Sequence, residues 1–136
     1  MKNILIAFDG SEHAVKAIKE AKKLIKGFPT SKVTVLEVLD ISKVKDQALD
    51  LSKSSEERKS TRINEVKDQL KGLLDDYLLT ILIGDPATEI INYAKKEEYD
   101  LLIIGSRGLN LLQEFIMGSV SHKVVKHAQI PILVVK

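Results

Sequence analysis

The chain has 136 residues, 21 basic and 19 acidic side chains, a formal net charge of +2 and no cysteine. That length suits one domain able to bury about two thirds of its unfolded surface, and the missing thiols exclude a disulfide framework and a thiolate metal site, leaving the cytoplasm as the expected compartment. The opening Met1-Lys2-Asn3-Ile4 runs into a strand pattern without a signal peptide, no apolar run approaches the ~18 residues of a membrane span, and interspersed charges with only three Tyr and three Phe argue against a nucleic-acid or membrane partner.

Residues 2–8 (KNILIAF) form a continuous apolar run, as in a parallel strand covered on both faces. The run ends at Asp9-Gly10-Ser11. From there Ala14, Ala17, Ile18, Ala21, Leu24 and Ile25 recur at helical spacing until Gly27 and Pro29 stop the helix. Residues 32–39 (KVTVLEVL) are a second β-branched strand, with the charged Glu37 near its end. Residues 40–62 are rich in Ser, Lys, Asp and Glu, with Ile41, Val44, Ala48, Leu49 and Leu51 the apolar exceptions. They read as a mobile connection with one short helical turn, merging into a helix on Ile63, Val66, Leu70, Leu73 and Leu74.

Residues 78–83 are strand three. Asp85 and Pro86 then supply an N-cap and a first helical residue, and Ala87, Ile90, Ile91 and Ala94 give that helix a buried face. Residues 100–104 are strand four, 106–117 a loop, 118–127 a helix patterned on Val120, Val124, Val125 and Ala128, and 131–135 a last strand opened by Pro131. Strands alternating with helices call for a single α/β domain, a doubly wound three-layer parallel sheet with helices on both faces.

The stretch Ile103-Ile104-Gly105-Ser106-Arg107-Gly108 ends a buried strand at a glycine, and nine residues after Gly108 the pair Gly118-Ser119 opens a helix. Backbone N–H groups at such a glycine turn and helix N-terminus form a phosphate cradle. Separately, the same residues are compatible with a strand-end turn, a loop glycine and a helix cap. No P-loop lysine motif and no nucleophile elbow is present. His13, His122 and His127 form no ligand pair, since residues five apart do not share a helix face.

The spacing Gly-x2-Gly-x9-Gly-Ser resembles the signature of the ATP-binding branch of the universal stress protein family. The likeness extends through Phe8-Asp9-Gly10-Ser11, Gly84-Asp85-Pro86 and the ending Pro131-Ile132-Leu133-Val134-Val135. It implies a five-stranded sheet of order 3-2-1-4-5, whose reversal between strands one and four brings the Asp9 and Gly105 loops together. It implies further that Gly105, Gly108, Gly118, Ser119, Val120 and Ser121 meet the phosphates, that Val38 meets adenine through its backbone, and that Ala7 lines the same end. Asp9, an anion, suits the ribose or adenine end or a helix cap, and Arg107 suits either a phosphate contact or solvent. The family often has proline at the Ala7 position and histidine at the Glu37 position.

Three functional classes follow. The first is a regulatory stress-response module binding ATP or another adenine nucleotide, with Mg2+ held by phosphate oxygens and water. The others are a slow ATPase or phosphoryl-transfer enzyme, and an interaction domain that does not use nucleotide. The apolar run 132–135, placed at a sheet edge by the implied order, carries no charge to block strand addition and implies a homodimer.

Overall fold

A computed structural model describes residues 1–46, 54–107 and 117–136; of Val44, Lys45 and Asp46 it describes the backbone alone. The described residues form β1 (Asn3–Ala7), α1 (Glu12–Lys26), β2 (Lys32–Asp40), α2 (Ile41–Asp46), α3 (Ser55–Leu70), β3 (Leu78–Gly84), α4 (Pro86–Lys96), β4 (Leu101–Gly105), α5 (Ser119–His127) and β5 (Ile132–Val135). All strand pairs are parallel, in the order β3-β2-β1-β4-β5.

Side-chain alternation explains why the central strands are apolar throughout. In β1, Ile4 and Ile6 enter a core shared with Ala14, Ala17 and Ile18 of α1 and Val66 and Leu70 of α3. Leu5 and Ala7 enter a second core with Ile90 and Ala94 of α4 and Val124 of α5. β4 divides likewise, with Leu101 and Ile103 on the first face and Leu102 and Ile104 on the second. Each fully buried Ile or Leu contributes about 1.5–3 kcal/mol, so burial on both faces fixes β1 and β4 at the centre of the domain.

The helices start where their caps are. Ser11 accepts the N–H of Ala14 at 3.1 Å, and Asp85 accepts that of Thr88 at 3.1 Å, with Pro86 next in the chain. The expected short helical turn after β2 is α2. The expected mobile connection through residue 62 is corrected by α3, which begins at Ser55 because Ser54 accepts the N–H of Glu57 at 3.2 Å. Ser54 and Glu57 stand three apart as in a capping box, a start signal that the charged composition concealed. At its other end α3 stops at Leu70, before Leu73 and Leu74, and the chain turns through Gly72 at φ 81. Val125 is also corrected: it is exposed, because the buried stripe of α5 runs through Ser121 and Val124 instead. Ala48, Leu49, Leu51 and the loop glycine Gly108 lie outside the described residues.

Among the described residues no helix is long and apolar enough to cross a membrane. The α4 cap offers a direct check on these local rules. Hydrogen bonds from the Thr88 hydroxyl, at 2.7 Å, and then from its N–H hold the Asp85 carboxyl below the ordinary carboxylate range. A lowered folded-state pKa stabilises above the unfolded value and ceases to do so as pH falls through the folded one. Asp85→Ala should therefore cost about 1 kcal/mol near neutrality. In urea titrations the deficit against the parent should shrink on acidification, as the parent's own cap becomes protonated.

Candidate functional site

A cleft of about 470 Å³ opens beyond the carboxyl ends of β2, β1 and β4. The topology requires an opening there, because the connections from β1 and β4 leave toward opposite faces of the sheet, α1 on one and α5 on the other. Ala7, Phe8, Asp9 and Gly10 form its floor, Glu37 to Asp40 one end, and Gly105 with Arg107 the other. Val120 and Ser121 of α5 and Ile90 of α4 close one side, and Arg62 and Gln69 of α3 the opposite side.

Of the residues expected at a binding site, Ala7, Asp9, Val38, Gly105, Arg107, Val120 and Ser121 all line this cleft. Gly118 is half-buried and Ser119 is exposed; neither belongs to the lining. The N–H of Gly118 donates instead to the Ser106 carbonyl at 2.8 Å, tying the start of α5 to the end of β4. Intrahelical bonding begins with His122 N–H to Gly118 O at 2.9 Å, so the N–H groups of Ser119, Val120 and Ser121 precede the helical ladder. The Ser121 hydroxyl, 4 % exposed as a residue, donates to the Gly105 carbonyl at 2.7 Å. Its proton is thereby directed at the strand rather than into the cleft.

Asp9 does not cap α1; that role is Ser11's. The Asp9 carboxylate accepts the Ser11 N–H at 2.9 Å, which holds it at the cleft floor. Ser106 is a junction. Its N–H donates to Val135 O at 2.7 Å, and its hydroxyl lies 3.3 Å from Nδ1 of the buried His13. Burial, and then the charges of Arg107 and Lys16, push the His13 imidazole below its ordinary pKa.

The α3 side of the cleft holds an ion pair that motif reading passes over. Glu37 is 3 % exposed within an apolar strand. Arg62 donates to it from Nε, and from Nη2 at 2.9 Å. The same guanidinium donates to Glu65 at 2.9 Å and to Gln69 at 3.3 Å. Burial raises the Glu37 pKa, opposed by Arg62; the bonds that Arg62 donates to Glu37, in turn, hold Arg62 more firmly protonated. Arg62 also lies against Gly10, where an added Cβ would stand 2.9 Å from Nη2 and where φ is +82. The sequence does contain a signal. A carboxylate inside a buried strand requires a partner, and Arg62 stands on the buried stripe of α3, four residues before Val66 and eight before Leu70.

A model of the universal stress protein family matches residues 1–136. The chain belongs to that family. Universal stress protein MJ0531 of Methanocaldococcus jannaschii is 31% identical over 140 residues, covering 99% of this chain and 82% of the relative. The solved structure of MJ0577 from the same archaeon is 33% identical, with a TM-score of 0.74 over 99% of this chain and 95% of that one. A universal stress protein family protein from Arabidopsis thaliana, solved with AMP bound, is 20% identical. It covers 100% of this chain and 92% of its own at a TM-score of 0.67, a likeness of fold.

Gly105 marks where β4 can pass α1. A Cβ there would stand 2.8 Å from the backbone carbon and oxygen of His13, which no side-chain rotation relieves. Gly105→Ala should cost about 1–3 kcal/mol by forcing β4 and α1 apart, read as a lower urea midpoint with an unchanged m-value.

Proposed function

We propose that the cleft binds an adenine nucleotide, ATP with Mg2+ foremost, and that the protein serves as a nucleotide-responsive regulatory module in stress responses. The observation carrying this reading is that one cleft joins Val38 at the β2 end and Asp9 on the floor with Gly105 and Arg107 at the β4 end and Val120 and Ser121 along its α5 side. Ends of opposite chemistry suit a ligand with an uncharged base and an anionic tail. The tail lies toward α5, whose leading N–H groups precede its ladder. Adenine meets the Val38 backbone beside Ala7, and Asp9 accepts from the ribose. Ser119, Gly118 and Gly108 belong to the phosphate side of this reading. Mg2+ is carried by phosphate oxygens and water, since among the described residues no group of three or more His, Asp or Glu is placed to hold a metal. The same fold holds AMP in the Arabidopsis protein.

Nucleotide-free protein titrated with ATP and Mg2+ should give heat in a calorimeter and a higher melting temperature. Neither response at millimolar ATP would end the proposal. Gly118→Val should abolish the response and leave the fold intact. Gly118 has φ −59 and ψ 157, which an L-residue adopts without strain, so the cost of the substitution falls on close approach of phosphate rather than on the backbone. A valine variant that binds ATP as the parent does would remove the helix start from the site.

The regulatory reading includes a homodimer through β5. That strand is at the sheet edge, Leu133 is 39% exposed, and residues 132–135 contain no charge. Light scattering with size exclusion should find a dimer. Leu133→Pro, which removes a ladder donor, should shift the population toward monomer; a folded variant with undiminished dimerisation would exclude this edge.

A further inference from the structure

The sheet order lays out the cleft wall as a sequence of strand ends: β2 first, β1 in the middle and β4 last. Charges follow that order. The carboxylates of Glu37, Asp40 and Asp9 stand at the β2 and β1 ends, whereas Arg107 and the start of α5 stand at the β4 end. The cations on the carboxylate side are Arg62 and Lys43. Lys43 is an exposed side chain on the short helix α2. Arg62 is in a different position: four of its five N–H groups are engaged, two by Glu37, one by Glu65 and one by Gln69.

We propose that the cleft selects nucleotides phosphorylated at the 5′ position alone, and that Glu37, by engaging Arg62, is the specificity residue that turns away a second phosphate on the ribose. The inference rests on the nucleotide reading above and adds the ligand class to it. A free arginine beside a ribose is a ready phosphate site, since its planar fork matches phosphate oxygens. Here the fork is closed by a carboxylate inside the wall. A phosphate taking the Nε and Nη2 fork of Arg62 must displace Glu37, and a carboxylate 3 % exposed in a strand has little water to replace the lost partner. Asp9 and Asp40 add like-charge repulsion on the same stretch, while the α5 end, where the 5′-phosphates lie, is untouched by these terms. The signature glycines have no part in this selection; it belongs to a strand residue and a helix residue 25 positions apart.

The test compares AMP with adenosine 3′,5′-bisphosphate, which differ only in the 3′-phosphate, by calorimetric titration of parent and variants. The parent should bind AMP at least about tenfold more tightly than the bisphosphate, the scale expected for an unmatched charge. Glu37→Gln, nearly isosteric and uncharged, releases the Arg62 charge and should narrow that ratio by about tenfold, chiefly by improving the bisphosphate. Glu37→Met, suited to a buried strand position, carries the same expectation and serves if the glutamine variant does not fold. Glu37→Asp, which keeps the charge, should retain most of the selectivity. A parent that binds AMP and the bisphosphate equally overturns the inference, as does a ratio unchanged in both Glu37→Gln and Glu37→Met; in either case AMP binding leaves the nucleotide reading standing. A parent that binds neither AMP nor ATP overturns the nucleotide reading, and the selectivity inference with it.

Discussion

Everything in this domain is arranged around the burial of β1 between two parallel neighbours and beneath helices on both faces. A strand so enclosed has its backbone satisfied by the ladder, its alternate side chains committed to two cores, and nowhere to expose a polar group except past its carboxyl end. The chain must turn there, through Asp9 and Gly10. β4 turns at the neighbouring position through Gly105 and Ser106 toward the other face. The cleft is the space left by that divergence, lined by the last residues of the strands and the first of the turns that leave them.

The charged pair on the α3 side is the exception to an apolar interior, and its energetics are two-sided. Burial disfavours the Glu37 carboxylate, and the bidentate bond to Arg62 offsets that cost. What the pair provides is placement: it joins β2 to α3 and rests on the Gly10 turn, so three chain segments remote in sequence share one wall. The left-handed glycine leaves the guanidinium its space.

The strands are readable in the chain because apolar runs are dictated by burial on two faces, whereas their order follows only from the family resemblance and agrees with the observed β3-β2-β1-β4-β5. Asp85 with Pro86 announces the start of α4 by capping chemistry, and Ala87, Ile90, Ile91 and Ala94 announce its buried face. The start of α3 is hidden in the sequence because its surface is overwhelmingly charged, and that composition outweighs the Ser54 to Glu57 spacing. Within the site, glycine spacing located the β4 end and the start of α5, but a motif says nothing about where individual hydrogen bonds go. Gly118 and Ser121 direct an N–H and a hydroxyl at the strand end, and only coordinates disclose that. The Arg62 wall is hard to read for a related reason: an ion pair across 25 positions leaves no local pattern, only a carboxylate in an apolar strand and an arginine on the buried stripe of a helix.

Ser106 receives the Gly118 N–H on its carbonyl, gives its own N–H to Val135 in the edge strand, and sets its hydroxyl beside His13 at the start of α1. In mechanical terms it is a pin joint through which β5, α5 and α1 are fastened at one residue. Because Ser106 stands between Gly105 and Arg107, both of which line the cleft, the edge strand is anchored at the cleft rim through a single residue.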